Sequence, residues 1–392
     1  MAIDPASRWG SRRKRDIHMR QREGKFFLSG RTLSFCLVFA FLAFGLVALY
    51  IGPSAEPVRM NQLQVIGTHN SYHIAPAESM LGVIGTMNKR WRDAFDYTHR
   101  PLTEQFEELG VRQIELDVFA DPEGGLYSKP GLFGLSGANV DPDEVMKKPG
   151  MKVLHVQDLD FRTTALTLKQ ALTEVRDWSK SNPRHVPVMI LIELKDSQPN
   201  RLLTKPVAFD RVLLEAVDAE IMAVFQPHQI VLPDDVRAGE KTLREAVLSK
   251  GWPTLDSVRG KVMFALDNGG AIRDRYIDEN PSLEGRVMFA SVGEQDPGAA
   301  FFKVNDPVGR FAKIQRLVEA GFIVRTRADA GSAEARRNDT SRREKAFASG
   351  AQFVSTDYPE ADVRMSDYCV QFEKRAVVRA NPVSGIGVKV SE

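Results

Sequence analysis

Eight short apolar runs dominate the hydrophobic pattern of the chain between residues 61 and 370. Each run is almost continuous rather than alternating, which is typical of strands that are covered on both faces. The eight predicted strands are residues 63–68, 113–119, 152–156, 188–194, 262–266, 287–291, 322–325 and 352–355.

The segments between these runs carry helical spacing. In residues 167–180, Leu168, Leu172 and Val175 recur on one face behind Thr167, a good helix cap. Three further predicted helices stop at a glycine just before a strand, namely at Gly110, Gly321 and Gly350.

This alternation over about 310 residues predicts an α/β protein with a single (β/α)8 TIM barrel. A doubly wound open sheet is the alternative, but no glycine-rich phosphate loop follows the first strand. Residues 77–99 and 197–258 interrupt the rhythm as long excursions. The first of them follows a strand end, so it is a candidate rim of a substrate pocket, or a helical insertion that only covers the barrel.

The N-terminal part has a different pattern. Residues 33–52 are an apolar run without any charge, and such a run of about 20 residues can span a bilayer as a helix. Basic residues outnumber acidic ones in residues 1–32, which predicts a cytoplasmic N-terminus and export of everything after Gly52. A cleaved signal peptide is the alternative, since Ser54 and Ala55 offer small residues at a possible cut.

The predicted organisation follows from these patterns. Residues 1–32 are a basic tail, 33–52 a transmembrane anchor or signal segment, and 53–60 a linker. The barrel occupies residues 61–370, and 371–392 are a C-terminal tail. The barrel domain is then expected outside the cell, either held by one helix or secreted after signal cleavage.

Composition narrows the choice of partner. The chain is 43% hydrophobic and 27% charged, as globular proteins are, and a net charge of +2 gives no electrostatic case for nucleic acid. Cys36 lies in the apolar run, so Cys369 is the remaining cysteine of the exported part. An intrachain disulfide and a cysteine metal site are therefore excluded in the exported part. We also expect the protein to be a monomer.

Candidate chemistry lies in four short phrases that end predicted strands. The carboxyl ends of parallel barrel strands open onto one face, so side chains at these ends should meet. The phrases place there His69 with Asn70, Glu115 with Asp117, His155, and Glu193 with Lys195.

These residue types suit a calcium site beside two proton-transfer groups. Glu115 and Asp117 are separated by one residue, so they share a side of a strand, where two carboxylates repel unless a cation or a shared proton holds them. With Asn70 and Glu193 they offer the hard oxygen ligands that Ca2+ prefers. Zinc would prefer histidine or cysteine donors, and the two imidazoles are better used for proton transfer.

The later strands supply candidate substrate contacts. Arginine can clamp a phosphate, an acid can accept from sugar hydroxyls, and tyrosine can stack on a ring. Arg327 could instead pair with Asp329, and Lys195 with Glu193. Tyr358 could be a turn residue, since a proline follows it. The candidates are Lys195, Arg325, Arg327, Asp357 and Tyr358, with Asp267 and Asn268 as weaker ones.

Residues 61–73 (with GTHNS), 110–117 (GVRQIELD), 187–195 and 355–358 resemble the microbial calcium-dependent phosphoinositide-specific phospholipase C family, part of the PLC-like phosphodiesterase superfamily. The resemblance covers nearly all of residues 61–365. It extends more distantly to the catalytic half of eukaryotic phosphoinositide phospholipases C. It implies that calcium is the cofactor and a phospholipid the substrate. The implied calcium ligands are Asn70, Glu115, Asp117 and Glu193, and the implied catalytic residues are His69, His155, Glu115 and Glu193.

The resemblance also implies a mechanism on phosphatidylinositol at a membrane surface. The inositol 2-hydroxyl, acidified by calcium and deprotonated by Glu115 or Glu193, attacks phosphorus and expels diacylglycerol. His69 would stabilise the pentacoordinate phosphorus, and His155 would protonate the leaving oxygen. A cyclic inositol phosphate results, which water can open.

Two other functions remain open at this point. A glycerophosphodiester phosphodiesterase has a similar layout but would be expected to carry arginine where this chain has Asn70. An inactive, membrane-tethered lipid-binding barrel would be expected to lack one of the imidazoles or acids. The residues themselves do not identify the alcohol attached to phosphorus.

Overall fold

Eight parallel strands form a nearly closed barrel, so the predicted (β/α)8 fold class is confirmed. The structure is a computed structural model that describes residues 56–131, 133–137 and 141–392. The predicted segment 33–52 lies outside the described residues. Residues Pro57–Glu392 form one compact unit. Among the residues described, no helix is long and apolar enough to cross a membrane.

The described sheet has ten strands. β3 pairs antiparallel with β2, β10 pairs antiparallel with β1, and the other eight strands build the barrel. They are β1 (Leu63–Thr68), β2 (Gln113–Asp121), β3 (Gly150–Val153), β4 (Val188–Leu194), β5 (Val262–Leu266), β6 (Met288–Ala290), β7 (Phe301–Lys303), β8 (Ile323–Arg327), β9 (Phe353–Thr356) and β10 (Val378–Ala380).

The barrel strands follow the order β6-β5-β4-β2-β1-β9-β8-β7. A parallel bridge between Ser291 and Phe301 brings the two ends of this order together. The seam between β1 and β2 has a single pair of partner residues, Gly67 with Gln113. The Gln113 side chain lies against Gly67, where a Cβ would clash with it, and donates to the Thr68 carbonyl at 3.1 Å. Glycine at position 67 therefore makes room for this seam.

One predicted barrel strand is wrong and another was missed. Residues 152–156 were expected to form the third barrel strand, but β3 ends at Val153 and runs antiparallel to β2. The reason is the length of β2: its last three residues extend beyond its pairing with β4, and its last four take β3 as their partner. The missing barrel strand is β7, an apolar run too short to stand out from the loop around it.

Helices connect the strands on the outside of the sheet. They are α1 (Glu78–Met87), α2 (Lys89–Phe95), α3 (Leu102–Glu107), α4 (Phe133–Ser136), α5 (Leu168–Ser181), α6 (Arg211–Val224), α7 (Pro233–Arg237), α8 (Leu243–Ser249), α9 (Leu255–Val258), α10 (Gly270–Ile277), α11 (Phe311–Glu319), α12 (Ala333–Arg337) and α13 (Ser341–Ala348). Short 3-10 turns lie at Met60–Gln62, Val145–Lys147, Pro227–Gln229 and Glu373–Arg375.

The predicted helices are confirmed. The helix expected over 167–180 is α5, and Thr167 Oγ1 accepts from the Gln170 amide at 3.1 Å. The helices before Gly110, Gly321 and Gly350 are α3, α11 and α13. The excursion 77–99 folds into α1 and α2, and 197–258 contains α6 to α9.

The core explains why the strands read as continuous apolar runs. In β4, Met189, Ile190, Leu191 and Ile192 are all fully buried, so both faces of this strand are covered. The segment after residue 370 also joins the fold, because β10 pairs with Leu63–Val65 of β1, beyond the single β1–β2 pair. The polar face of the barrel lies at the carboxyl ends of its strands.

Candidate active site

His69 follows β1 and is held in one tautomer. Its Nδ1 lies 2.7 Å from Asp357 Oδ1, and its Nε2 lies 3.0 Å from an Arg327 guanidinium nitrogen. A guanidinium can only donate, so Nε2 carries the lone pair and Nδ1 donates to the carboxylate. Burial, reinforced by the charge of Arg327, holds the pKa of His69 well below its usual value. The imidazole is therefore neutral, with its basic nitrogen 3.7 Å from Glu115 Oε1.

Asp357 and Arg327 form the frame around this imidazole. Arg327 donates to Asp357 Oδ2 at 2.8 Å, and Asp329 accepts from the Asp357 amide at 2.9 Å. Burial acts to raise the pKa of Asp357, but Arg327 and His69 outweigh it and the pKa lies below its usual value. The sequence left open a pair between Arg327 and Asp329; instead Asp329 accepts from Thr356 and from the backbone of Asp357.

Four carboxylates gather from within β2, from the last residues of β4 and from the position directly after β5, and we call them the acidic cluster: Glu115, Asp117, Glu193 and Asp267. Oxygens of Glu115, Glu193 and Asp267 all lie within 4.8 Å of one another. Asp117 is fully buried and reaches Glu193 through the Lys195 ammonium. The predicted same-side arrangement of Glu115 and Asp117 on β2 is therefore realised inside the protein.

Three cations contact the acidic cluster. Arg325 donates to Glu115, and Lys303 to Asp267. Lys195 Nζ lies 3.2 Å from Asp117 Oδ2 and 3.4 Å from Glu193 Oε1. Even so, burial raises the pKa of Glu115 to about 7 against the opposing charge of Arg325. Burial likewise raises the pKa of Asp117 despite Lys195. The protein's own cations thus leave negative charge here that a further cation would stabilise.

Several buried oxygens of the acidic cluster and of Asn70, directly after β1, have no hydrogen-bond partner among the described residues. Asp117 Oδ1 and Asp267 Oδ1 are buried without a hydrogen-bond partner among the described residues. Asn70 Oδ1 is in the same condition, and Asn70 has a φ of 45°, in the left-handed region that asparagine tolerates. Buried polar atoms are normally paired, so unpaired hard oxygens beside clustered carboxylates fit a calcium ion. These oxygen donors therefore fit the calcium ion that the sequence predicted.

His155 reaches the same end of the barrel from the loop after β3 rather than from a barrel strand. Its Nδ1 lies 2.7 Å from Asp160 Oδ2, and its ring packs edge-on against Phe95 of α2. Burial lowers the pKa of His155; Asp160 opposes this, and the charges of His73 and Lys195 add to it. His69 and His155 are both partly accessible, with 19% and 17% of their side-chain surface exposed, so a ligand can reach each ring.

The predicted headgroup residues differ in how they are placed. Arg325 is 1% exposed and makes all its hydrogen bonds to protein, to Glu115, Ser355 and Asn305. The structure does not bring the Tyr358 side chain to the site, because its buried hydroxyl donates to Ser332 at 2.6 Å. Asn268 uses its side-chain amide to bond the backbone of Leu194.

Several residues of the site were missed from the sequence. Asp267 was a weak headgroup candidate and not a metal candidate, although it ends β5 as Glu193 ends β4, and this signal could have found it. Lys303 is the last residue of β7, a strand that the sequence did not predict. Asp160 and His73 gave no signal, since their contacts depend on how two loops fold. Each of these four residues is bonded to a predicted site residue, either directly or through one other side chain.

Comparison with known proteins gives the family. The sequence pattern of "Phosphoinositide phospholipase C, Ca2+-dependent" matches residues 58–382. No curated protein matches the chain. Among solved structures, a calcium-dependent phosphoinositol-specific phospholipase C from the Gram-negative bacterium Pseudomonas sp., in complex with myo-inositol, is 17% identical with a TM-score of 0.49, covering 84% of this chain and 98% of that one.

Two further solved structures are similar. The Ca2+-dependent phosphatidylinositol-specific phospholipase C of Streptomyces antibioticus is 16% identical with a TM-score of 0.48, covering 77% of this chain and 95% of that one. The phosphatidylinositol-specific phospholipase C of Listeria monocytogenes is 14% identical with a TM-score of 0.43, covering 79% and 92%. On the match over residues 58–382, the chain belongs to the Ca2+-dependent phosphoinositide phospholipase C family.

Proposed function

We propose that this enzyme cleaves phosphatidylinositol at a membrane surface into diacylglycerol and a cyclic inositol phosphate. The observation that carries the proposal is the position of a neutral His69, whose basic Nε2 lies 3.7 Å from Glu115 at the edge of the acidic cluster. A phosphodiester bound there would have calcium ligands on one side of it and imidazoles within reach.

The calcium ligands would be Asn70, Glu115, Asp117 and Glu193, with Asp267 added by its place in the acidic cluster. When bound, calcium neutralises the phosphate and makes the inositol 2-hydroxyl more acidic. The support for this set is the unpaired oxygen on Asp117 and on Asn70 and the raised pKa values of Glu115 and Asp117.

The base would be Glu115 or Glu193. Glu193 is the better placed of the two, because its side chain is 31% exposed and a substrate hydroxyl can approach it. Glu115 is enclosed by Arg325 and His69, so it is better suited to hold the metal and to set the position of the imidazole. Glu193 would take the 2-hydroxyl proton as the oxygen attacks phosphorus.

The two histidines would act on either side of phosphorus. His69, held in place by Asp357 and Arg327, would take up a proton on Nε2 as the anionic phosphate binds and would donate it in a hydrogen bond to an equatorial oxygen as negative charge builds up there. Arg327 lies beside His69 Nε2 and would share that charge. His155 would protonate the departing diacylglycerol oxygen, since its Nδ1 is occupied by Asp160 and only Nε2 remains for the substrate.

Headgroup binding would come from Lys195 and Arg327 on the phosphate and Asp357 on inositol hydroxyls, with Arg325 acting through Glu115. The membrane surface would contact the rim, where Met87, Trp91 and Leu135 are exposed on α1, α2 and α4. These segments follow β1 and β2, on the side of the strand ends that carry the site. The enzyme would act outside the cell as a monomer, with residues 33–52 as anchor or cleaved signal.

The test is a cleavage assay with the full chain on phosphatidylinositol vesicles, in calcium and in excess EGTA. We expect diacylglycerol release in calcium only, with cyclic inositol phosphate as the first product by phosphorus NMR. His155→Ala should abolish release while the circular dichroism spectrum is unchanged. Release that is the same in EGTA would overturn the calcium ligands, and cleavage of phosphatidylcholine at the same rate would overturn the headgroup.

A further inference from the structure

Ser71 fills a gap in the seam between β1 and β2. These two strands share a single pair, Gly67 with Gln113, whereas β2 and β4 share six pairs. β1 ends at Thr68, so no residue of that strand pairs with Glu115. Ser71 does so instead: its amide donates to the Glu115 carbonyl at 2.9 Å, and its Oγ accepts from the Glu115 amide at 2.8 Å. One serine thus replaces the missing strand for both backbone groups of this residue.

The neighbours of Ser71 assign the direction of its hydroxyl. Gln105 Nε2 donates to the carbonyls of Ser71 and Arg100, at 2.7 and 2.6 Å. Gln105 Oε1 is therefore an acceptor, and it lies 2.7 Å from Thr68 Oγ1, whose single proton serves it. Ser71 Oγ lies 2.7 Å from the same Thr68 hydroxyl and 3.2 Å from the Thr68 carbonyl. The Ser71 proton therefore points to Thr68, and a lone pair is left for the Glu115 amide. Ser71 is fully buried, so this bond is shielded from solvent.

The same contact fixes Asn70, the residue directly before Ser71. Asn70 has a φ of 45°, and its carbonyl accepts from the His73 amide at 2.9 Å. On the other side of Asn70, the His69 amide donates to the Thr356 carbonyl of β9 at 3.0 Å. Asn70 is thus held between β9 and β2, and its buried side-chain oxygen has no partner among the described residues. A shift of Ser71 would move this oxygen relative to β2.

We propose that Ser71 is a positioning residue, which sets the spacing between two calcium ligands, Asn70 and Glu115, by joining the loop after β1 to β2. The proposal rests on the function proposed above, in which both residues hold calcium. Partners that orient metal ligands matter for affinity, and their loss weakens metal binding about 10- to 100-fold. Ser71 reaches Glu115 through its backbone, so it occupies neither of the carboxylate oxygens that calcium would need.

A purely structural role of the buried hydroxyl is the competing interpretation, and Ser349 provides a matched control for it. Ser349 is also fully buried; its Oγ donates to the Ala346 carbonyl at 2.7 Å and accepts from the Ala351 amide at 3.3 Å. It lies just before β9, at the end of the barrel opposite the site. Loss of either hydroxyl should lower the unfolding temperature in EGTA, whereas only the loss of Ser71 should act on calcium.

The first test compares Ser71→Ala with Ser349→Ala in the full chain, by isothermal titration with calcium chloride. We expect Ser71→Ala to raise the calcium Kd about tenfold and Ser349→Ala to leave it unchanged. Ser71→Cys keeps the shape of the side chain, but a thiol is a weaker acceptor, so its Kd should lie between those of wild type and Ser71→Ala. An unchanged Kd in Ser71→Ala, or an equal rise in both alanine variants, would overturn the proposal. Should Ser71→Ala fail to fold, a wild-type Kd in folded Ser71→Cys would overturn it.

Hydrogen exchange gives a second readout that needs neither calcium nor substrate. In Ser71→Ala the Glu115 amide loses its acceptor, so mass spectrometry should show about tenfold faster exchange in residues 113–117 of β2. Exchange in residues 188–194 of β4 should be unchanged. Equal protection of residues 113–117 in both proteins would overturn the role of Ser71. A wild-type chain that binds no calcium would overturn the proposed function, whereas one that binds calcium only as tightly as Ser71→Ala would overturn the role of Ser71 alone.

Discussion

The Lys195 ammonium lies 3.2 Å from Asp117 Oδ2, a fully buried carboxylate oxygen. Asp117 is also a predicted calcium ligand. One oxygen cannot serve a protein ammonium and a calcium ion equally well, because both cations require close approach and repel each other. We therefore expect Lys195 and calcium to compete for Asp117, with the displaced ammonium left free to contact the substrate phosphate.

Removal of Lys195 should strengthen calcium binding. We expect Lys195→Met to lower the calcium Kd about fivefold, because the metal no longer displaces an ammonium. Isothermal titration of the full chain measures this Kd. Lys250→Met, which removes an exposed lysine paired with Glu240, should leave it unchanged. Weaker calcium binding in Lys195→Met would contradict the competition.

Loss of the Asp267 charge should weaken calcium binding. Asp267 contributes an oxygen within 4.8 Å of Glu115 and Glu193, and its Oδ1 has no partner among the residues described. We expect Asp267→Asn to raise the calcium Kd about tenfold, since ligand charge tunes the affinity of such sites. Asp274→Asn, an exposed acid on α10, is the control. An unchanged Kd in Asp267→Asn would remove it from the ligand set.

The Asp357 charge should be needed for turnover. In Asp357→Asn the amide can present an NH group to His69 Nδ1, which would force the proton onto Nε2. We expect kcat to fall about 10²- to 10⁴-fold with the fold retained. The measurement is kcat in saturating calcium, with Asp362→Asn, a half-buried acid paired with Arg364, as the control. Equal losses in both variants would argue against a specific role.

Asp357 should also make stability depend on pH. Its folded-state pKa is depressed, chiefly by Arg327 and His69 against the effect of burial. Such a group stabilises the fold above its unfolded pKa of about 3.9, and this stabilisation is lost as the pH falls through the lower folded pKa. Urea unfolding should therefore show a deficit of Asp357→Asn at pH 6 that shrinks towards pH 3. A deficit that is constant with pH would contradict this.

The buried pair between Arg325 and Glu115 should carry a large penalty when broken. Both side chains are at most 3% exposed. We expect Arg325→Met in EGTA to lower the free energy of unfolding by about 3–5 kcal/mol, because the buried Glu115 loses its partner and must either stay charged or take up a proton. Arg316→Met, which breaks an exposed pair with Glu294, should change it by about 0–1 kcal/mol. Arg325→Met/Glu115→Gln should recover much of the loss, and no recovery would mean that packing rather than charge dominates.

Local patterns were a sound guide to elements and a poorer one to their partners. The apolar run of β4 predicts a strand covered on both faces, and its residues are buried as expected. The run before His155 has the same pattern but pairs antiparallel with the protruding end of β2, which the pattern does not record. β7 is only three residues long, so its barrel position follows from pairing with β8 and not from hydrophobicity.

The amino-acid sequence by itself determined the fold class and the chemistry of the site, because strand periodicity and residue type are local properties. It marks His69, Glu115, Asp117 and Glu193 as polar residues of predicted strands and their ends. Only the tertiary structure decided which charges meet: Asp357 with His69, Lys195 with Asp117, and Asp160 between two imidazoles. The physical reason is that a pKa, a tautomer or a metal site depends on distances of a few ångströms between groups far apart in sequence. The folded barrel and its loops set those distances.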